Sequence, residues 1–246
     1  MKIMLMIMLG CMLVGQVNAQ AGRIDTVAVS ILDRMSVMMG ELKSCSATVR
    51  SNYDVTSREL GLIKHSDEEH IYFGGPEKLL VRSEGDKGNR SIVYNGKTLS
   101  YYSLDKNYYS QTNAPANVME MINKMNKDYG IVFPMADFFY PSFVDDILAD
   151  ATDLVLLSMT KVNGKDCYHI AGNGKDKTFQ FWISDDMFYL PMKLVIVYKD
   201  KPMDPQYEAA YTDWQLNPDL PNSLFEFKIP PNARKIRLTP LLSAKK

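Results

Sequence analysis

Little in this sequence points to catalysis or metal binding. Of 246 residues only three are cysteine and three histidine, sparse material for the ligand set of a metal site. Lys and Arg number 28 against 29 Asp and Glu, a net charge of −1, so the basic excess that draws a protein to nucleic acid is missing. No G-x-S-x-G nucleophile turn occurs. Nor is there a phosphate loop, since Gly74-Gly75-Pro76 ends a strand and opens no helix. No apolar run reaches the roughly 20 residues of a spanning helix. What remains is ordinary globular material, 46% hydrophobic and 23% charged. No metal, no cofactor and no nucleic-acid partner are expected.

The start of the chain reads as an address. Lys2 precedes Ile3–Val14, an uncharged and largely apolar run, and Val17-Asn18-Ala19 places compact residues at the positions a signal peptidase reads. Residues 1–19 are thus expected to be a secretory signal cut after Ala19, leaving a periplasmic chain. Leu9-Gly10-Cys11 supports an alternative, because it resembles the end of a lipobox. Lipidation at Cys11 would make an outer-membrane lipoprotein. Either route exports the protein. Two cysteines then remain, Cys45 and Cys167, which export would allow to pair as a disulfide. Two buried thiols fit equally.

Periodicity supplies the architecture. Ile24, Val27, Ala28, Ile31, Leu32, Met35, Met38, Met39 and Leu42 fall at helical spacing, which predicts an amphipathic helix over about 24–42. From Cys45 to Val55 the period becomes two, predicting a long strand with one covered face. Strand-like segments follow at 69–73, 78–83, 90–94, 97–103 and 108–112, with Asn95-Gly96 as a hairpin turn. The rhythm breaks at 115–150. There Val118, Met121, Ile122 and Met125 form a helical stripe ended by Gly130, and the apolar run Phe133–Tyr140 precedes a short helix from Ser142. Strands resume at 154–162, 166–171, 177–184, 192–199 and 207–216, with Asn163-Gly164 as a second tight turn. The expected fold is mainly β with helices (α+β). One large curved antiparallel sheet forms an incomplete β-barrel, and the helices cover its concave side. Residues 20–246 are expected to be a single domain.

Several stretches carry a family resemblance. Gly96-Lys97-Thr98-Leu99, Asp105-Lys106-Asn107-Tyr108-Tyr109 and Tyr129-Gly130-Ile131 resemble the predicted periplasmic family called domain of unknown function 2092. So do Pro191–Ile196, Tyr198-Lys199-Asp200, Trp214-Gln215-Leu216 and the tail Leu220–Phe227. That family is similar in fold to the lipoprotein carrier LolA and its receptor LolB. The resemblance implies a half-barrel with a helical lid over an apolar cavity; it implies no particular client.

Candidate chemistry is thin. His65-Ser-Asp-Glu-Glu-His70 puts its two imidazoles on opposite strand faces and reads as a solvated acidic turn or strand edge. Cys167 and His169 would share a strand face, but a nucleophile there would need an orienting partner and an oxyanion site, and a core Cys with a partly buried His is expected. Asp145-Asp146 and Asp185-Asp186 read as helix-edge and turn positions. No catalytic residue is assigned. The expected activity is a non-enzymatic carrier or binding protein for a lipid or for the acyl chains of a lipoprotein. An alternative is a periplasmic sensor or interaction module that docks a periplasmic or outer-membrane protein; a lipid-modifying hydrolase is a remoter one. Strand alternation nominates Val49, Tyr53, Phe179, Phe181, Ile183, Leu194, Ile196 and Tyr198 as cavity lining, with Met121 and Met125 closing the top. Phe133, Phe138, Phe139 and Tyr140 are candidates for the lid or for partner docking.

The signal assignment is tested by the intact mass of the exported protein, expected to begin at Gln20. A diacylated or triacylated N-terminal Cys11 would replace that result with the lipoprotein alternative.

Overall fold

The computed structural model describes residues 22–133 and 135–241. The signal segment, with Cys11 and Ala19, lies outside the described residues.

Helix α1 (Thr26–Glu41) starts where the Asp25 carboxylate accepts the Val27 N–H at 2.9 Å. Its stripe of Ala28, Ile31, Leu32, Met35 and Met39 is buried. Six strands follow: β1 (Cys45–Ser57), β2 (Gly61–Phe73), β3 (Leu79–Gly85), β4 (Arg90–Tyr94), β5 (Thr98–Ser103) and β6 (Tyr108–Asn113). Next come α2 (Val118–Tyr129), a 3-10 turn over Ala136–Phe139, and α3 (Phe143–Asp150). The second run is β7 (Ala151–Val162), β8 (Lys165–Gly174), β9 (Lys177–Ser184), β10 (Pro191–Tyr198) and β11 (Gln206–Leu216), before the short β12 (Arg234–Lys235).

All twelve strands belong to one open sheet, in the order β12-β6-β5-β4-β3-β2-β1-β11-β10-β9-β8-β7. Two antiparallel meanders are therefore joined by pairing β1 to β11, with Val49 opposite Tyr211 and Tyr53 opposite Tyr207. Only β12 runs parallel to its neighbour. The sheet curls strongly. Six strand steps separate β5 from β10, about 29 Å in a flat sheet at roughly 4.8 Å each. Yet Tyr101 of β5 and Tyr198 of β10 line one cavity.

The inward face is defined by register. Ala47, Ile71, Val81 and Ile92 face one another across β1 to β4 and join one core cluster with Phe181, Tyr211 and the buried faces of α1, α2 and α3. The helices thus cover the concave side. On the convex side Leu80 and Val93 form a separate cluster with Phe225 of the C-terminal tail. The stop at Gly130 is a left-handed cap (φ 67°) whose N–H returns to Asn126 O. Asn163 (φ 50°) and Gly164 (φ 81°) both occupy the left-handed region, as a tight hairpin turn requires.

Gly172 on β8 faces Phe179 on β9. A Cβ there would fall 2.1 Å from the Phe179 ring, so the ring lies where any side chain at 172 would go. Gly172→Val is expected to lower stability by about 1–3 kcal/mol through overpacking. Urea unfolding measures this, and an unchanged midpoint would mean that the ring yields freely.

Candidate functional site

The concave space not filled by α1 forms two adjoining cavities, which share Val132, Phe133, Tyr198 and Tyr207 in their walls. The first, of about 350 Å³, lies between the β9–β10 surface and the segment carrying the 3-10 turn and α3. Part of its wall is aromatic and aliphatic: Phe179, Phe181, Leu194 and Ile196 from the sheet, Phe138 and Phe143 from above. Aromatic contacts fix that wall. Phe138 meets Tyr211 edge-on at 5.4 Å and Phe143 at 5.5 Å, and Phe143 meets Phe181 at 5.8 Å. Asp137, Asp146, Asp150 and Lys177 also contribute to the lining.

The second cavity, of about 760 Å³, lies over β1 to β4 at the end where the hairpin turns β1–β2, β3–β4 and β10–β11 gather. Its floor is polar because the inward rows change character. The row Ala47–Ile71–Val81–Ile92 is followed by Val49–Glu69–Ser83–Arg90, and then by Ser51–Asp67–Gly85. Register therefore brings Glu69, Ser83 and Arg90 side by side on three neighbouring strands. The Ser83 hydroxyl donates to Glu69 Oε1 at 3.0 Å, and the Tyr53 hydroxyl donates to Asp67 Oδ2 at 3.2 Å. Burial pushes the Glu69 carboxyl up to about 7, against the opposing pull of Ser83 and Arg90. Burial, reinforced by the Glu69 charge, also holds the Tyr207 phenol well above its ordinary value.

The sequence missed this cluster. The segment His65–His70 is no solvated turn or edge: it lies inside β2, a strand paired on both sides, with Asp67 and Glu69 buried. The available signal was parity, since Asp67 and Glu69 alternate in phase with Ile71 and Phe73. His65 stacks on Tyr53 at 5.7 Å, and His70 Nδ1 contacts Thr48 Oγ1 at 3.2 Å. Among the described residues no cluster of three metal-ligating side chains exists.

Of the nominated lining residues, Tyr53, Phe179, Phe181, Leu194, Ile196 and Tyr198 are in the cavity walls. Val49 and Ile183 face inward but are fully covered in the core. Met121 and Met125 do not close the top. Both are wholly buried in the main core, because the apolar stripe of α2 packs inward instead of over the opening. The residues just beyond α2 reach the opening instead, with Val132 75% exposed at the junction of the two cavities. Phe133, Phe138 and Tyr140 border the cavities, whereas Phe139 stacks on Phe73 at 4.9 Å beside a separate small void.

Cys45 and Cys167 are free and buried. They sit on β1 and β8 with β11, β10 and β9 between them, so the disulfide left open by the sequence is not formed. Burial raises both thiols, Cys45 to about 12, which suppresses the nucleophilic thiolate. His169 contacts Gln180 Oε1 at 2.9 Å and stacks on Trp182 at 4.1 Å, an arrangement that engages it away from Cys167.

Residues 28–239 match the family model described as "Predicted periplasmic protein (DUF2092)". No curated protein matches the chain significantly. Among solved structures, LprF from Mycobacterium bovis is 12% identical, with a TM-score of 0.48 over 86% of this chain and 100% of that one. The lipoprotein LppX from Mycobacterium tuberculosis is 12% identical, with a TM-score of 0.45 over 80% and 99%. A LolA superfamily protein from Nitrosomonas europaea is 13% identical, with a TM-score of 0.36 over 81% and 97%. No helix among the described residues is long and apolar enough to cross a membrane.

The raised Glu69 carboxyl predicts a pH dependence of stability. Its folded value of about 7 exceeds the ordinary 4.5, so the folded state holds the proton more tightly. Stability from this group is fully present below about 4.5 and falls as pH rises towards 7. Glu69→Gln lacks that loss. Urea unfolding at pH 5 and pH 8 is expected to show the wild type losing stability relative to Glu69→Gln at the higher pH; a relative gain would refute the assignment.

Proposed function

We propose that this chain, which belongs to the predicted periplasmic family DUF2092, is an exported carrier that holds the acyl chain of a lipid or acylated protein inside its half-barrel. The observation that carries the reading is the aromatic and aliphatic wall around the 350 Å³ cavity, which stays open beneath the α2–α3 segment. A well-packed core would have closed such a space. An aromatic and aliphatic surface with charged groups at its borders suits a chain with a head. Each CH₂ moved out of water contributes about 0.8 kcal/mol, so a long chain binds without any covalent step. Tyr198 and Tyr207, common to both cavities, form the passage between tail and head. Residues 1–19 supply the export signal in this reading.

The test is displacement of an environment-sensitive fluorescent probe by tetradecanol, a neutral chain. Ile196→Trp fills the cavity and Phe181→Asp charges its wall; each is expected to weaken binding at least about tenfold. Lys193→Ala leaves binding unchanged, because Lys193 pairs with Glu208 at 2.6 Å outside both cavities. Near-ultraviolet circular dichroism verifies folding. If the folded wild type fails to bind at micromolar concentration, or Ile196→Trp binds as well as wild type, the carrier reading fails.

A further inference from the structure

The floor of the second cavity buries two acids beside a single guanidinium. Asp67 and Glu69 each have side chains only 7% exposed, and they share one guanidinium. Arg90 Nη2 lies 3.4 Å from Asp67 Oδ2 and 3.6 Å from Glu69 Oε1. Above about pH 7, where Glu69 is ionised, two carboxylates against one cation leave an excess of one charge, in surroundings where an uncompensated charge is costly. Lys87 and Lys201 also line this cavity, but both are exposed and belong to its rim. Lys64 pairs with Asp54 at 2.8 Å, Lys87 lies 4.4 Å over the Tyr53 ring, and Lys201 lies 3.9 Å over the Tyr198 ring.

One carboxylate oxygen has no partner. Asp67 Oδ2 takes the Tyr53 and Arg90 contacts, while Oδ1 is buried without a hydrogen bond. Directly across on β3 stands Gly85, where a Cβ would fall 2.0 Å from that oxygen. A side chain at position 85 would take the place that Oδ1 occupies. A structural ion pair accounts for one of the two acids with Arg90. It does not account for the second acid, for the orphaned acceptor, or for their setting in the wall of a 760 Å³ cavity.

Resting on the carrier reading above, we propose that this cluster is a headgroup site for a primary ammonium, borne by an amphiphile whose tail lies in the apolar cavity. An ammonium brings three N–H donors and one positive charge. It supplies what the site lacks: a counter-charge for the second carboxylate and a donor for an acceptor without one. Charge-assisted hydrogen bonds to two carboxylates hold it. A carboxylate or phosphate head at the same place faces the excess negative charge and is rejected. The rim lysines do not reverse that preference, because their charges rest on tyrosine faces at the mouth while the acids lie in the floor.

The experiment compares three probes of equal chain length, tetradecylamine, tetradecanol and tetradecanoic acid, as competitors at pH 8 below their micelle-forming concentrations. The amine is expected to bind at least about tenfold tighter than the acid. In Glu69→Gln and Asp67→Asn the amine preference shrinks to within about threefold of the alcohol, with tetradecanol affinity unchanged. The wild-type ranking stands even where a variant does not fold. Lysophosphatidylethanolamine against lysophosphatidylglycerol separates the two sources of ammonium: preference for the former assigns a lipid headgroup, and equal weak binding assigns a free amine. Acid binding as tight as amine, or an amine preference surviving in a folded Glu69→Gln, overturns the proposal. Failure of all three simple probes to bind would overturn the carrier reading instead.

Discussion

The pairing of β1 with β11 governs the rest of the architecture. Each meander taken alone, β1–β6 or β7–β11, places consecutive strands side by side. Joining them through their first and last members puts β6 and β7, which are consecutive in the chain, at opposite sides of the sheet. The chain between them must then cross from one side of the sheet to the other. It crosses on the concave face, as α2, the 3-10 turn and α3, whose buried residues belong to the inward core cluster. The lid is thus a consequence of strand order. The same arrangement leaves two sheet margins, and both are blunted. Strand β12 pairs with β6, and the Arg23–Asp25 backbone bonds to Leu154 of β7 at 2.8 Å.

How far the concave face packs solid is decided along each strand. Near α1 the inward residues are Cys45 and Ala47 on β1, Phe73 and Ile71 on β2, Leu79 and Val81 on β3, and Tyr94 and Ile92 on β4. All are buried except Phe73, which is partly buried, and Val81 and Ile92 already border the larger cavity. One or two inward positions further along, the same strands present Ser51, Asp67 with Glu69, Ser83 and Arg90. These groups have no place in an apolar core, since each needs a hydrogen-bond partner or a counter-charge. The solid core therefore ends at a common height across four strands, and the cavity begins there. Hydrophobic partners of similar volume in place of a buried ionic group are often neutral or stabilising. An open polar floor is thus an arrangement that stability alone does not demand.

Much of this was legible where the signal is local. The two-residue period over 45–55, the Asn-Gly pair at 163–164 and the stripe closed by Gly130 each involve residues within a few positions of one another. The bounds of α1 and β1 followed closely from such local periods, whereas β2 begins at Gly61, eight residues before the strand expected at 69–73. The insert at 115–150 was visible because it interrupts a regular rhythm. The site was less legible because it depends on register between distant segments. Asp67 and Glu69 sit within Lys64–His70, seven polar residues in a row, so their phase with Ile71 and Phe73 is the one local clue. Their pairing with Ser51 and Val49 of β1 establishes that this face is covered. Met121 and Met125 illustrate the converse case. Their helical stripe was recognised, but a stripe does not say whether its apolar side meets a cavity or a core. Val132, beyond the end of the same helix, lies in an irregular stretch with no period to read.

The sheet residues at the two ends of the concavity differ in character, and the proposed carrier reading rests on that difference. A defect left by imperfect packing would be lined by whatever side chains failed to meet, with polar atoms paired or exposed. Here an aromatic wall fixed by edge-on contacts adjoins a floor where Glu69, Ser83 and Arg90 occur in one row across neighbouring strands. Both surfaces arise from the same period-two alternation, one on the β9–β10 side and the other on the β2–β4 side. The curl of the sheet turns them towards each other across Tyr207. A purely apolar guest would leave the carboxylates dry, and a purely polar one would leave the phenylalanines wet. A molecule with both characters satisfies each wall with one end.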